Sequence, residues 1–412
     1  MAGNAESKEI KDGESRCRSW RAWAQEAIEA DFGRVAAFQR ACGVGADGER
    51  GYLLLHLIFT AGAALGNELF YIVFLPFLFW AGAPLAGRRV MVLWGVSGYI
   101  GQLLKDIARL PRPSAPAVRL EHHYANTEYG MPSTHAMFAF SLPLALAGLI
   151  STHHPHVGLS DETLWAIAGT WAVAMTLSRL YMGVHSTYDV VAGIGLGLGF
   201  YAAFAYSSLG ATIDDYVVSH APMSLPSAGA MASSLAAHGW HHPAAAVVVV
   251  SVVATAAVPY LNGHAEWTST YADTVTILGA VNGAHLGSAL YNAERDAARA
   301  LTFGCPGAGC SGVVQSAQAA GIPVGPGLTA LGLLARTLVG FAVLAVTREV
   351  AKAVSLPLCL AIGRRAGVVP RTGCPSLAKA YAVDTPARLF TYTAVGCMAV
   401  AGVPHLFAHL GL

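Results

Sequence analysis

Stretches of roughly twenty mostly apolar residues recur along this chain, and a segment of that length and character spans the hydrocarbon core of a bilayer. In the first half they are Leu53–Trp80, Val90–Leu104, Ala136–Ile150, Leu164–Met182 and Val190–Ser207. In the second half they are Ala244–Leu261, Thr274–Leu290, Leu328–Val346, Val350–Ile362 and Leu389–Leu410. Leu53–Trp80 is longer than one span needs, so it reads as one long helix or as a span preceded by an interfacial piece. Val350–Ile362 is short and reads as re-entrant or merged with its neighbour. Charged residues make up 12% of the 412 residues and apolar ones 54%, whereas about 25% charge is usual in a soluble chain. Mean hydropathy is +0.49. Lipid offers no partner to open backbone groups, so the spans must be helical. The expected fold is all-α: a polytopic transmembrane helical bundle of about 8 to 10 membrane helices.

Composition shifts divide the chain into a polar N-terminal tail (1–50), a transmembrane core bearing the chemistry (51–208), a loop (209–243) and C-terminal transmembrane helices (244–412). The tail reads as solvated, with an amphipathic helix near Trp20–Phe38, and no apolar h-region marks a cleavable signal peptide. Twenty-five basic and 24 acidic residues give a net charge of +1, which provides no reason to expect nucleic acid as a partner. Seven scattered cysteines include Cys305 and Cys310; a disulfide in an oxidising lumen and a pair of free thiols are both open readings. The run Gly193, Gly195, Gly197, Gly199 alternates faces on a helix, so it fits close helix contact better than a phosphate loop. The histidine tracts His153–His154–x–His156 and His238–x–x–His241–His242 only weakly suggest a metal. No feature of the sequence fixes an oligomeric state.

Three polar clusters interrupt the apolar core: Lys105 and Arg112; Ser133 and His135; and Arg179, His185 and Asp189. A count of membrane crossings puts all three at one surface. The chain reaches Lys105 at one face, re-enters from that face at Ser133, crosses and returns, and arrives back there at Arg179. Ionisable residues at such depth are costly and usually functional. Three cations, two of them guanidinium forks, suit the oxygens of a phosphate ester. Ser133 at a helix N-terminus adds a hydroxyl and exposed N–H groups. Asp189, four residues after His185, would share a helical face with it and hold the imidazole with one nitrogen free to attack. His135 is placed to protonate a leaving alkoxide. Asp106 and Arg109 read as a local, structural pair. Taken singly, Lys105 and Arg112 could be interfacial anchors and Ser133 a helix cap.

These clusters resemble the signature of the lipid phosphatase and haloperoxidase superfamily, the type 2 phosphatidic acid phosphatases. Gly66–Tyr71, Lys105–Ile107, Arg112–Pro116, Glu128–Met137 and Ser178–Ser186 look like its sphingosine-1-phosphate phosphatases, and Val403–Phe407 does so more loosely. Thr134 stands where the broad superfamily commonly has glycine, which favours the narrower likeness. The resemblance implies metal-independent dephosphorylation of a sphingoid base 1-phosphate through a phosphohistidine, with no cofactor and no metal. It assigns catalysis to His185, His135 and Asp189, and phosphate binding to Lys105, Arg112, Ser133 and Arg179. It also implies a phosphorylated sphingoid lipid as substrate and a multi-pass protein of the endoplasmic reticulum membrane with its site facing the lumen. A broader phosphatase acting on phosphatidic or lysophosphatidic acid is the alternative. A phosphotransferase and an ion-conducting bundle are more distant ones.

Overall fold

The computed structural model describes residues 2–81, 83–121, 128–153, 158–207, 249–250, 252–255, 269–290, 330–367 and 383–412. Among them there is no strand, and the chain is an all-α, polytopic helical bundle. In chain order the helices are α1 (Ala2–Ala41), α2 (Leu53–Ala64), α3 (Glu68–Trp80), α4 (Pro84–Ala108), α5 (Thr134–His153), α6 (Asp161–Tyr181) and α7 (Thr187–Tyr206). Then come α8 (Ser269–Leu290), α9 (Ala330–Arg365), α10 (Thr385–Cys397), a π-helical turn (Met398–Gly402) and α11 (Val403–Leu410). Helices α5, α7 and α9, and the run Thr385–Leu410, are each long and apolar enough to cross a membrane. The 25 residues of α4 reach about 37 Å at the usual helical rise.

In three segments the structure decides between the expected readings or modifies them. Leu53–Trp80 is not one long helix: Leu65, Gly66 and Asn67 break it into α2 and α3, with Asn67 at the N-terminal boundary of α3. Val350–Ile362 is merged with its neighbour, one of the two expected alternatives: it continues α9 through Pro357. Residues 20–41 are not a loose tail, since Ile28, Phe32, Val35 and Ala36 of α1 are buried. Two polar side chains fasten α1 to the core. Asp31 accepts a 2.6 Å hydrogen bond from the Thr187 N–H at the start of α7. Gln39 donates to the carbonyls of Val118 and Tyr181 and accepts from the Val118 N–H. Most of Ala244–Leu261, together with Cys305, Cys310, Cys374, His154, His156 and the His238–His242 tract, lies outside the described residues. Cys42, Cys359 and Cys397 are free thiols.

Close approach of α7 to α5 brings two halves of the polar cluster together. A Cβ on Gly193 would sit 2.5 Å from the Ser133 carbonyl oxygen, and one on Gly197 would sit 2.5 Å from that of Met137. Gly195 and Gly199 face away, with no neighbouring element within 4 Å. The two faces give opposite expectations for the same substitution. Gly197→Ala should destabilise by about 1–3 kcal/mol, because backbone cannot move aside. Gly199→Ala should be neutral or stabilising by up to about 1 kcal/mol, because alanine favours helix. Thermal unfolding in detergent measures both.

The main buried apolar cluster lies across α3, α4, α5, α6, α8 and the C-terminal helices, with Tyr71, Trp80, Trp94, Phe138 and Met175 among its largest members. Helix α8 seats closely on α4: a Cβ on Gly95 would meet Val281 at 2.6 Å, and one on Gly98 would meet Ile277 at 3.0 Å. The C-terminal half is therefore built into the wall of the core rather than appended to it.

Candidate functional site

The polar clusters converge at one end of the bundle. Lys105 ends α4 and Arg112 lies just beyond it, Ser133 precedes α5, Arg179 ends α6, and His185 and Asp189 flank the start of α7. These six residues and His135 are buried. A cavity of about 260 Å³ opens among them. Its wall includes Lys105, Arg112, His135 and His185, but not Ser133, Arg179 or Asp189, which stand around it.

The local sequence explains how His185 is presented. Gly183 takes a left-handed backbone (φ +67°), and a Cβ there would lie 2.1 Å from the Val118 carbonyl oxygen. This turn ends the α6 connection and points the next residues back toward the core. Ser186 then caps α7: its hydroxyl accepts from the Asp189 N–H, and the Asp189 carboxylate accepts from the Ser186 N–H at 2.8 Å. That reciprocal pattern is a capping box. His185 therefore precedes the helix and does not share a helical face with Asp189, as the four-residue spacing suggested. The two still meet. Nδ1 of His185 lies 3.5 Å from Oδ2 of Asp189, a distance short enough for electrostatic pairing and longer than a good hydrogen bond.

On the other side of the ring, Nε2 lies 3.5 Å from Nη1 of Arg112. A proton on Nδ1, toward the carboxylate, leaves the Nε2 lone pair toward the cations. Burial, and then the Arg112, Arg179 and Lys105 charges, hold the His185 imidazole well below its usual pKa. The ring is therefore neutral near pH 7, the form that can act as a nucleophile.

Each guanidinium is already met by a carboxylate that the sequence reading did not single out. Nη2 of Arg112 pairs with Glu128 at 3.0 Å, and Nη2 of Arg179 pairs with Glu121 at 2.5 Å. Arg112 also donates to the Val184 carbonyl at 3.1 Å, tying its fork to the backbone beside His185. The Lys105 ammonium donates to the Thr134 hydroxyl at 3.2 Å. Ser133 donates its N–H to the Asp189 carbonyl at 3.0 Å, and its Oγ lies 3.4 Å from the Ala136 N–H at the head of α5. Arg109, left-handed at the end of α4, reaches back to the Asp106 carbonyl at 3.0 Å.

Asn67 is a further residue that earned no role from sequence. Its Oδ1 lies 3.2 Å from Nε2 of His135, so the break between α2 and α3 supplies the orienting partner for that ring. Gly66 leaves the space: a Cβ there would fall 2.1 Å from Cδ2 of His135. The readable signal was a Gly–Asn pair inside an apolar run, where a helix break is favoured. Gly66→Ala should displace the His135 ring and lower turnover about 10²-fold, the scale of an ångström misplacement at a reacting centre. Steady-state kinetics with circular dichroism as a fold control tests this.

Helix α8 provides the remaining wall, through Thr270, Asp273 and Ile277. Nothing in their spacing announces a site; only tertiary packing brings them here. Of these, Ile277 joins Phe138 in an apolar flank beside the cations, so the cavity suits a ligand with one anionic and one greasy end.

The PAP2 superfamily model matches residues 86–213. Sphingosine-1-phosphate phosphatase 1 of Rattus norvegicus is 44% identical over 142 residues, 34% of this chain and 32% of that protein. The match thus spans about a third of the length of the first relatives compared. Sphingosine-1-phosphate phosphatase 2 of Mus musculus is 32% identical over 397 residues, covering 92% of this chain and 96% of that one. The chain belongs to the sphingosine-1-phosphate phosphatase family of the PAP2 superfamily. A dihydrosphingosine 1-phosphate phosphatase of Schizosaccharomyces pombe is 33% identical over 147 residues, 35% of this chain and 36% of that one. For this family member, the stretch common to the superfamily contains Lys105 through Asp189, whereas α8 lies beyond it.

Proposed function

We propose that this chain hydrolyses a sphingoid base 1-phosphate to the free base and inorganic phosphate, through a phosphohistidine at His185 and without a metal. The observation that carries the reading is the setting of one imidazole, with Nδ1 toward Asp189 and Nε2 toward Arg112. Nε2 attacks phosphorus in line with the ester oxygen; the N–P bond forms as the P–O bond breaks. His135 gives its proton to the departing alkoxide. Water then attacks the phosphohistidine, His135 takes a proton from it, and phosphate leaves with Nε2 restored. Lys105, Arg112, Arg179 and the Ser133 region stabilise the charge gathered on the equatorial oxygens, an electrostatic effect enhanced by the dry surroundings. Asp189 holds the ring and offsets the positive charge it gains.

Glu128 and Glu121 each meet one terminal nitrogen of a guanidinium that substrate phosphate would also meet. Phosphate, like carboxylate, can take such forks bidentately, and the two carboxylates compensate the cations.

The relatives named for sphingoid phosphates support the substrate, and the sequence resemblance alone motivates placement in the endoplasmic reticulum. The lumenal orientation rests on Arg88 and Arg89, which lie in the first turns of α4 rather than in a loop, about 25 Å from Lys105 along the helix rise; Lys and Arg favour the cytosolic side. A phosphate-release assay with purified protein in chelator, on sphingosine 1-phosphate and on phosphatidic acid, tests the function. Faster release from the sphingoid substrate, undiminished by chelator, is expected. Preference for phosphatidic acid would favour the broader lipid phosphatase, and collapse in chelator would remove the metal-free mechanism.

A further inference from the structure

The cavity built for a dianion also holds negative charge. Asp273 of α8 lines it together with Glu128. Glu128 has a clear task in compensating Arg112. Asp273 is half-buried and interacts electrostatically with the Lys105 ammonium. A carboxylate facing a bound phosphate repels it, and a partly buried one is costly to keep. Its presence is accounted for if the ligand brings a positive charge along with its phosphate.

A second group in the same wall points the same way. Gln102 is buried, lines the cavity, and its Oε1 has no hydrogen-bond partner among the described residues. Buried acceptors without a donor are rare and call for an explanation. An ammonium has three donors and no acceptor, so it complements a carboxylate and an amide oxygen in one pocket. Helix packing sets this arrangement. Gln102 and Lys105 lie three residues apart on α4, while Asp273 and Ile277 lie four apart on α8, and Gly98 lets Ile277 approach α4. Phosphate ligands and the acceptor pair thus come from facing positions on two helices.

We propose that Asp273, with the Gln102 amide oxygen, forms an ammonium subsite that selects lipid phosphates bearing an amine close to the phosphate over amine-free ones. The proposal rests on the phosphatase reading above. It names the chemistry that distinguishes a sphingoid base 1-phosphate from glycerol-based phosphates: a primary amine on the carbon next to the ester carbon. Because α8 lies outside residues 86–213, selectivity comes from a part of the chain that the superfamily core does not supply.

The test compares kcat/KM for sphingosine 1-phosphate with that for octadecyl phosphate, which has the anion and a chain but no amine, in the full-length wild type, Asp273→Asn and Asp273→Glu. Wild type should prefer the amine-bearing substrate. Asp273→Asn should lower the ratio of the two values about 10- to 100-fold, the scale of a desolvated charge pair losing one partner, with most of the change in KM. Asp273→Glu, which keeps the charge, should recover part of the ratio. Equal losses on both substrates would overturn the proposal and leave Asp273 as a partner of Lys105 only; so would an unchanged ratio. If wild type released phosphate from neither substrate, the phosphatase reading itself would fail, a result distinct from a shift in ratio. Melting temperatures of the three proteins separate misfolding from loss of selectivity.

Discussion

Replacing His185 with alanine should lower phosphate release by about 10³-fold or more, since losing a covalent nucleophile typically costs orders of magnitude. The expectation follows from position rather than residue type. His185 is buried where the Gly183 turn meets the Ser186 cap, with a carboxylate on one nitrogen and a guanidinium on the other. Several further histidines stand elsewhere in the chain, including His153, His405 and His409, and none of these three lines the cavity. Alanine would leave the backbone bonds of the turn intact, because Val184 and Ser186 make the surrounding contacts. His409→Ala is the control: its ring meets His405 at the exposed end of α11, and turnover should be unchanged. A His185→Ala enzyme within tenfold of wild type would mean that water, not imidazole, attacks phosphorus.

Arg179→Lys should lower kcat/KM about 10²-fold while leaving the protein folded. The charge survives this substitution but the fork does not. A guanidinium can place two parallel donors on phosphate, whereas an ammonium acts as a point charge on a shorter stem. Removing one well-aimed donor from a transition-state cradle usually costs on this scale. Arg179 is wholly buried, so lysine has no solvent-facing route that would compensate. A competing view makes Arg179 a structural partner of Glu121. That view predicts a lower melting temperature with kcat/KM within a few-fold of wild type. Measuring both quantities on one preparation separates the two.

The charged site was largely legible in the sequence because membrane helices tolerate few ionisable residues. Lys105, Arg112, Arg179 and Asp189 stand out against an apolar background, and helix crossings alone bring them to one surface. The geometry between them was less legible. The spacing of His185 and Asp189 suggested one helical face, yet Ser186, an excellent N-cap, starts the helix between them. The Ser–x–x–acid pattern of a capping box was there to be read and was outweighed by the i,i+4 rule. Likewise Gly66–Asn67 breaks the run from Leu53 to Trp80, while nothing comparable interrupts Thr347 through Val350, so α9 continues. Asp273, Gln102 and Thr270 were not legible at all. Their meeting at the cavity depends on how α8 seats on α4, and that depends on side-chain fit at Gly95 and Gly98 rather than on any local pattern.

The carboxylates on Arg112 and Arg179 have the same character. Glu128 is sixteen residues from Arg112, and Glu121 is fifty-eight from Arg179. No sequence rule pairs residues at such separations. Their presence explains how a buried set of cations is tolerated before substrate arrives, since an uncompensated charge in such surroundings would be strongly destabilising.

Rapid mixing of the enzyme with sphingosine 1-phosphate labelled in its phosphate, followed by an alkaline quench that preserves phosphohistidine, tests the covalent step most directly. Label should appear on the protein within the first turnover, map to the peptide containing His185, and be absent from His185→Ala. Turnover at full rate with no label on the chain, or label on any other residue, would contradict nucleophilic attack by this imidazole.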